Sequence, residues 1–339
     1  MPLDLVQHVL HGRSLDESQA AALADSMVDG ALTSARIAAA LTALSRRGET
    51  VDEIVGFARA VRLRARRVPI VADGLVDCCG TGGDGRNTLN VSTIAAFIAA
   101  GAGCRIAKHG NRGVSSRCGS ADVLAALGVR GDLPPEAAAA CIESVGLGFL
   151  HAPLYHDALQ AVGTVRRELG IRTIFNLIGP LANPAGVRRQ LIGVPRREWI
   201  EPMADAAARL GGEHVMIVHG EEGLDEISPC GLTHGIELRD GIRRPMTLRP
   251  EDAGLEPCAA HDLIGGDAEE NARIARSILE GKKGGGRIFA LLNAAAVICV
   301  AGRAPTLRDG AAAAAESIDS GRAAKILEEL RRRSREFAV

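Results

Sequence analysis

Aromatic residues are nearly missing from this 339-residue chain: they make up 2%, with one Trp, one Tyr and six Phe. Stacking platforms for bases are scarce, which argues against binding single-stranded nucleic acid. Charge of one sign is also missing, since 40 Lys and Arg face 41 Asp and Glu. No basic field is available to hold nucleic acid. The longest apolar run, Ile288 to Gly302, is interrupted by Asn293 and falls short of the ~20 residues a bilayer requires. The first residues, MPLDLVQHVL, carry neither a positively charged leader nor a small-residue cleavage site, so no signal peptide is expected. Eight cysteines at 78, 79, 104, 118, 141, 230, 258 and 299 form no CxxC pair, so neither a zinc site nor a thioredoxin-type motif is suggested. They read as small buried hydrophobes in a reducing, cytoplasmic compartment.

What is present is the composition of a soluble globular enzyme, 47% hydrophobic and 24% charged. Its core must be built from Ala, Leu, Val and Ile. Residues 1–68 read as helices only. Ser14-x-x-Glu17 and Thr50-x-x-Glu53 are expected capping boxes, each opening an apolar-periodic segment. The run Arg62, Arg64, Arg66, Arg67 reads as a solvated helix end before Pro69.

From Val71 strands and helices alternate. Strands are expected at Leu75–Cys79, Cys104–Ala107, Gly148–Leu150 and His214–His219. Helices are expected at Ser92–Ala102, 120–127, 134–145, a segment closing at 166–170, Asp267–Leu279, Ile288–Ala301 and Ala323–Arg335. Gly284-Gly285-Gly286 reads as a flexible break, and FNLIGPLANP (175–184) as an apolar hinge-like turn. The alternation predicts an α/β fold with a mostly parallel central sheet. Ligands of such sheets sit beyond the carboxyl ends of the strands, where the turns at 80–84, 108–112 and 220–226 could converge.

Those turns carry the chemistry. Gly80-Thr81-Gly82-Gly83-Asp84 follows the first strand, and Asn87, Thr88, Asn90, Ser92 and Thr93 lead into the next helix. Glycines let backbone N–H groups approach an anion, and a helix N-terminus adds a positive dipole end. The motif is neither a Walker loop nor a dinucleotide fingerprint. Lys108-His109-Gly110-Asn111-Arg112, with Ser115 and Ser116, repeats the theme and adds full positive charges. Asp84 repels phosphate and belongs near a cation or a sugar hydroxyl, so the pattern points to a phosphorylated sugar. Asp225 and Glu226 are adjacent just past a strand. A loop pair usually faces solvent, but beside a polyphosphate it suits Mg²⁺. Arg166 and Arg167 read either as partners of surface carboxylates or as clamps for a planar carboxylate.

Six stretches taken in order resemble the anthranilate phosphoribosyltransferase family: GTGGDGRNTLNVST (80–93), KHGNRGVSS (108–116), APLYH (152–156), VRRELGIRTIFNLIGPLANP (165–184), GLDEIS (223–228) and ALLNAAA (290–296). The resemblance covers nearly the whole chain. It implies a small all-helical N-terminal domain (1–70, completed by about 166–185) and a larger α/β domain (71–165 and 186–339). It also implies a homodimer formed through the helical part, and Mg²⁺ dependence. For phosphoribosyl pyrophosphate it implies Gly80, Gly83, Asp84, Thr88, Asn90, Val91, Ser92, Thr93, Lys108, Gly110, Asn111, Arg112, Gly113, Ser115, Ser116 and Ser120. For anthranilate it implies Gly80, His109, Asn111, Ala152, His156, Arg166, Gly179 and Pro180. Ser92, Asp225 and Glu226 would handle magnesium, and His109, Lys108 and Arg166 would be the catalytic set. The chain departs from the family pattern at His151, Asp157, Leu159 and Glu222, with Asp157 and Leu159 flanking His156 on the acceptor side. A pyrimidine nucleoside phosphorylase, another acceptor amine, or a silent nucleic-acid-binding paralogue are the competing readings. The Lys-His-Gly-Asn turn argues against the first, and the near-zero charge with intact donor motifs against the last.

Overall fold

A computed structural model describes residues 2–113 and 117–337. Its first helices are α1 (Pro2–Leu10), α2 (Glu17–Val28), α3 (Ser34–Arg47) and α4 (Val51–Arg64). The box at Thr50 forms as expected: Thr50 Oγ1 accepts the Glu53 N–H at 3.3 Å, and Glu53 accepts the Thr50 N–H at 2.9 Å. Glu53 is fully buried, and its other oxygen accepts the Leu15 N–H at 2.9 Å, tying α4 to the start of α2. The box expected at Ser14 is displaced. Asp16 caps α2, accepting the Gln19 N–H at 2.8 Å while Gln19 accepts the Asp16 N–H at 3.1 Å. The carboxylate takes the cap that the Ser14 hydroxyl was expected to fill. Arg62 is not solvated either. It donates to Leu181 O and, at 3.0 Å, to Leu210 O, and burial pulls it down to about 10.

Seven strands form one sheet in the order β3-β2-β1-β4-β5-β6-β7. β1 (Leu75–Gly80), β2 (Arg105–Gly110), β3 (Leu147–His151), β4 (Arg189–Gly193) and β5 (His214–Gly220) are parallel. β6 (Thr233–Arg239) and β7 (Ile242–Leu248) add an antiparallel edge. The interleaved helices are α5 (Val91–Gly101), α6 (Ser120–Ala126), α7 (Pro135–Val145), α8 (Ala152–Tyr155), α9 (Gln160–Leu169), α10 (Ile174–Ile178) and α11 (Ile200–Arg209). Past the sheet come α12 (Ala268–Leu279), α13 (Gly285–Val300), α14 (Leu307–Asp319) and α15 (Arg322–Glu336).

The sheet separates two cores. Leu191, Met216 and Val218 face the one built around α5 and α13. Ile192, Val215 and Ile217 face the other, which they share with α1–α4, Val162, Val165 and Ile174. Adjacent strand residues point to opposite faces, so one strand serves both cores.

Three further expectations are corrected. The triple glycine is no break: Gly284, at φ 133°, caps α13, and Gly285 and Gly286 form its first turn. The 175–184 segment is α10 followed by a buried 3₁₀ turn, Pro180–Ala182. β2 also runs to Gly110, which makes Lys108 and His109 strand residues rather than turn residues. The parallel ladder to β3 continues through both, pairing Lys108 with Phe149 and His109 with Leu150. Their side chains therefore leave the sheet on opposite faces.

Candidate active site

Strand order reverses between β1 and β4, and Gly80 pairs with Gly193 at the carboxyl ends of those strands. That reversal opens a crevice. Asp225 packs across both glycines: a Cβ on Gly193 would overlap the Asp225 main chain, and one on Gly80 would overlap its carboxylate. Glycine is required at both positions by this close approach. Asp225 Oδ2 accepts the Gly82 N–H at 2.7 Å, and the Thr81 N–H donates to Gly193 O at 2.9 Å. Two amides of the glycine turn thus hold the loop itself. The expectation that its amides meet an anion narrows to the exposed Gly83 and its neighbours.

Burial pushes the Asp225 carboxyl up to about 7; the nearby Asp84 charge adds to this, while the Gly82 N–H and Arg172 oppose it. Burial pushes Glu226 up as well, reinforced by Asp225 and opposed by Lys108. Crowded buried carboxyls of this kind favour a cation. Among the described residues no three His, Cys, Asp or Glu side chains form a ready-made cage. A cation here would complete its shell with substrate oxygens and water, which is how Mg²⁺ binds. The hard-oxygen donors Asp84, Asp225, Glu226 and Ser92 fit that ion.

Lys108, 2% exposed, donates to Cys78 O at 2.7 Å and to Ser92 Oγ at 3.2 Å. Behind it lies Asp77, fully buried, which accepts the His109 N–H at 3.1 Å and Asn183 Nδ2 at 2.9 Å. Asn183 Nδ2 also donates to Ala107 O at 2.8 Å. Burial pushes the Asp77 carboxyl up, and the Lys108 charge pulls it back. Asp77 and Asn183 are missing from the sequence expectations. The one signal was a charge inside the apolar strand LVDCC.

Other donor candidates fall into two groups. Some shape the loops. Asn90 donates to Cys118 O at 3.1 Å and accepts Asn271 Nδ2 at 3.0 Å. Thr88 bridges to Ile264, the Val91 N–H donates to Leu89 O at 2.7 Å, and Thr93 is 1% exposed. The Thr93 side chain points into the interior with Phe97 and Phe149, away from solvent. Others border the crevice. Asn111, Arg112 and Gly113 are exposed beyond Gly110. Asp122 Oδ2 accepts the Gly113 and Gly119 N–H groups, each at 2.9 Å, and Ser120 Oγ donates to Asn111 O at 3.2 Å. Ser115 and Ser116 lie outside the described residues.

The opposite face of β2 gathers the acceptor candidates. His109 meets Gly179 O through Nδ1 at 3.2 Å, and its ring lies edge-on to His156 at 5.2 Å between centroids. Burial, with His156 adding to it, pushes His109 down to about 3; burial takes His156 to about 4. Both rings are neutral at pH 7. Donation to a carbonyl puts the His109 hydrogen on Nδ1, so Nε2 presents a lone pair; it finds no partner among the described residues. Arg166 makes no surface ion pair among the described residues. Nη2 donates to Asn176 Oδ1 at 3.3 Å, and its guanidinium lies 5.5 Å from the Phe175 ring centre. Nε is sealed from solvent with no acceptor among the described residues. Pro180 is held by Gln190, which donates to its carbonyl at 2.8 Å. Ala152 opens α8, four residues before His156. Of the departures, His151 stacks on Phe149, Asp157 is exposed, and Leu159 packs against the core shared with the helical region.

Comparison with known proteins agrees with this architecture. A glycosyl transferase family a/b domain matches residues 72–324, and a glycosyl transferase family helical bundle domain matches 3–65. An anthranilate phosphoribosyltransferase of Anaeromyxobacter sp. (strain K) is 54% identical over 96% of both chains. The crystal structure of anthranilate phosphoribosyltransferase from Thermus thermophilus superposes with a TM-score of 0.92 at 43% identity, covering 98% of this chain and 99% of that one. The Saccharomyces cerevisiae enzyme in complex with PRPP and Mg superposes at 0.90 with 29% identity, covering 99% and 98%. On fold, on sequence and on the residues gathered at its strand-order reversal, the chain belongs to the anthranilate phosphoribosyltransferase family.

Proposed function

We propose the following division of labour for an enzyme that transfers the 5-phosphoribosyl group of phosphoribosyl pyrophosphate to the amino group of anthranilate. The observation that carries it is the placement of Lys108 and His109 on opposite faces of one strand, between a carboxylate-clamped glycine turn and a sealed arginine. The donor lies over Gly80–Asp84, Ser92 and the 110–113 loop. Anthranilate lies among His109, His156, Gly179, Pro180 and Arg166, with its carboxylate on Arg166.

In the reaction the anthranilate nitrogen forms a bond to the ribose anomeric carbon. The bond from that carbon to the pyrophosphate oxygen breaks, and its electrons leave on pyrophosphate. The spare amine proton passes to pyrophosphate or solvent. The carbon carries oxocarbenium charge on the way, so positioning and electrostatics supply most of the acceleration. Neutral His109 accepts a hydrogen bond from the amine at Nε2 and so aims the nitrogen lone pair. With a value near 3 it takes no proton at pH 7. Asp225, Glu226 and Ser92 would hold Mg²⁺, directly or through the diphosphate, and the ion would supply positive charge to the leaving group.

The helical domain is residues 1–70 with the segment near 166–185, which share one core with it. It is the surface of a homodimer, a reading supported by exposed Leu3, Leu10 and Leu63 on α1 and α4. The enzyme works in the cytoplasm, a reading supported by a cysteine pattern suited to a reducing compartment. Among the described residues no helix is long and apolar enough to cross a membrane. Mixing protein, Mg²⁺ and phosphoribosyl pyrophosphate with anthranilate tests the activity through anthranilate fluorescence. Decay that requires all components supports it; donor binding without decay moves the search to other amines.

A further inference from the structure

Arg172 is absent from every expectation above, yet it touches both sides of the site. It stands between α9 and α10, immediately before Thr173, the cap of α10. Its backbone is anchored to the helical region, where Ser45 Oγ on α3 donates to Arg172 O at 3.0 Å. Its side chain crosses to the sheet domain. Nη1 donates to Gly82 O, and Nη2 reaches Thr81 Oγ1 at 3.5 Å. Gly82 is the residue whose N–H Asp225 already holds. Both polar backbone groups of one turn residue are thus gripped, one from the sheet domain and one from the α9–α10 connection. The Arg172 guanidinium lies 4.5 Å from the ring centre of Trp199, the sole tryptophan of the chain. Arg196 approaches the same ring at 5.4 Å, and Asp225, Glu49 and Asp84 supply opposing charge around Arg172.

The next residue extends the connection. The Thr173 N–H donates to Asn176 Oδ1 at 3.1 Å, and the same oxygen accepts Arg166 Nη2 at 3.3 Å. One continuous path therefore runs from the donor turn through Arg172, Thr173 and Asn176 to Arg166. A displacement of Gly82 on donor binding would pull on Arg172, and movement there would shift the acceptor of the Arg166 hydrogen bond.

We propose that Arg172 is a positioning residue that couples the donor turn to the acceptor arginine, so that occupancy of one substrate site alters affinity at the other. The inference rests on the substrate assignment above. Coupling of this kind is reciprocal, and a path is established only by a measured interaction between its ends. Lysine cannot reproduce a planar two-point grip that is also stacked on an indole.

The test uses full-length protein and its own tryptophan. Donor is titrated with Mg²⁺, with and without benzoate, which carries the acceptor's ring and carboxylate but no amine and so cannot be converted, following Trp199 emission on excitation at the red edge of indole absorption. Calorimetry supplies the same constants independently of anthranilate fluorescence. In the parent protein, benzoate should change the donor dissociation constant by about fivefold or more, within the usual range of coupling. In Arg172→Lys that ratio should fall to one, the donor KM should rise about tenfold, and anthranilate affinity without donor should stay as in the parent. Arg172→Gln serves as a second variant, and an unchanged thermal midpoint separates loss of coupling from loss of fold. A parent protein with no ratio, or an Arg172→Lys protein that keeps it, overturns the proposal. A parent that binds no donor contradicts the substrate assignment instead, so the two failures are distinguishable.

Discussion

The donor turn and the acceptor pocket flank the same strand and are built in opposite ways. The donor turn is backbone and glycine, open to solvent at Gly82, Gly83 and Gly85, and held from beneath by buried carboxyls. The proposed acceptor side is built from side chains drawn from segments far apart in sequence: β2, the end of α8, α9 and the 179–180 turn. A flexible polyanion with its own metal requires a surface that wraps it. A flat aromatic acid, on the proposed assignment, meets buried polar atoms that have no partner among the described residues, His109 Nε2 and Arg166 Nε. The difference teaches where each part should be fragile. The donor side depends on buried charge, the acceptor side on a few directed donors.

Asp77 lies under both and gives the largest effect. Asp77→Ala strips the acceptor from the His109 N–H and from Asn183 Nδ2 beneath the site. Leaving a buried donor unsatisfied costs about 1–3 kcal/mol for each group. Urea denaturation should show it, and a loss below about 1 kcal/mol would mean the network is dispensable. Next, Asp225→Asn should break the donor side alone. The Gly82 clasp and the cation both weaken, and kcat/KM for the donor should fall about 10²- to 10³-fold at saturating Mg²⁺. Anthranilate affinity without donor should be untouched. Arg166→Gln is the mirror experiment. A charge-assisted contact to carboxylate is worth roughly 1.5–3 kcal/mol, so the anthranilate KM should rise about ten- to a hundredfold. A rise in the donor KM alone would place Arg166 on the wrong side.

The smallest effect is one of pH. His109 and His156 lie well below their ordinary 6.5 when folded and return to it when unfolded. The unfolded chain binds the extra protons, so the stability is complete above 6.5 and lost as pH falls towards 4 and then 3. From pH 6.5 to 6.0 the two rings together should remove about 1 kcal/mol. Double replacement by Gln should flatten that part of the stability profile. A parent profile already flat there would mean the imidazoles are charged in the fold.

The same contrast decides what could be read from the sequence. The donor turns could be nominated from the sequence because their chemistry is local: Gly80–Asp84 and Ser92 lie within one strand–turn–helix unit, and Asp225-Glu226 within one loop. The identity of the acceptor as anthranilate came only through resemblance to a family. Spacing alone could not show that Arg166 is buried against Phe175, because that depends on α9 and α10 packing beside α3 and α4. Asn90 and Thr93 were nominated because they are polar at a helix start; the fold adds that Asn90 joins Cys118 to Asn271 and that Thr93 is buried. Arg172 was passed over because its partners, Gly82 and Trp199, lie 90 and 27 positions away. In the fold, β1, β2, β3 and β5 were found where apolar residues run together, but β4, β6 and β7 were missed. β6 interleaves polar with apolar residues, and β7 is largely exposed and polar, as an edge strand allows.

The most direct test of the two-sided account is donor binding by calorimetry, with Mg²⁺ and without anthranilate, to the parent, Asp225→Asn and Arg166→Gln proteins. The expected result is a donor dissociation constant unchanged in Arg166→Gln and raised at least about tenfold in Asp225→Asn. Equal weakening in both variants would contradict the separation of the two sites across β2.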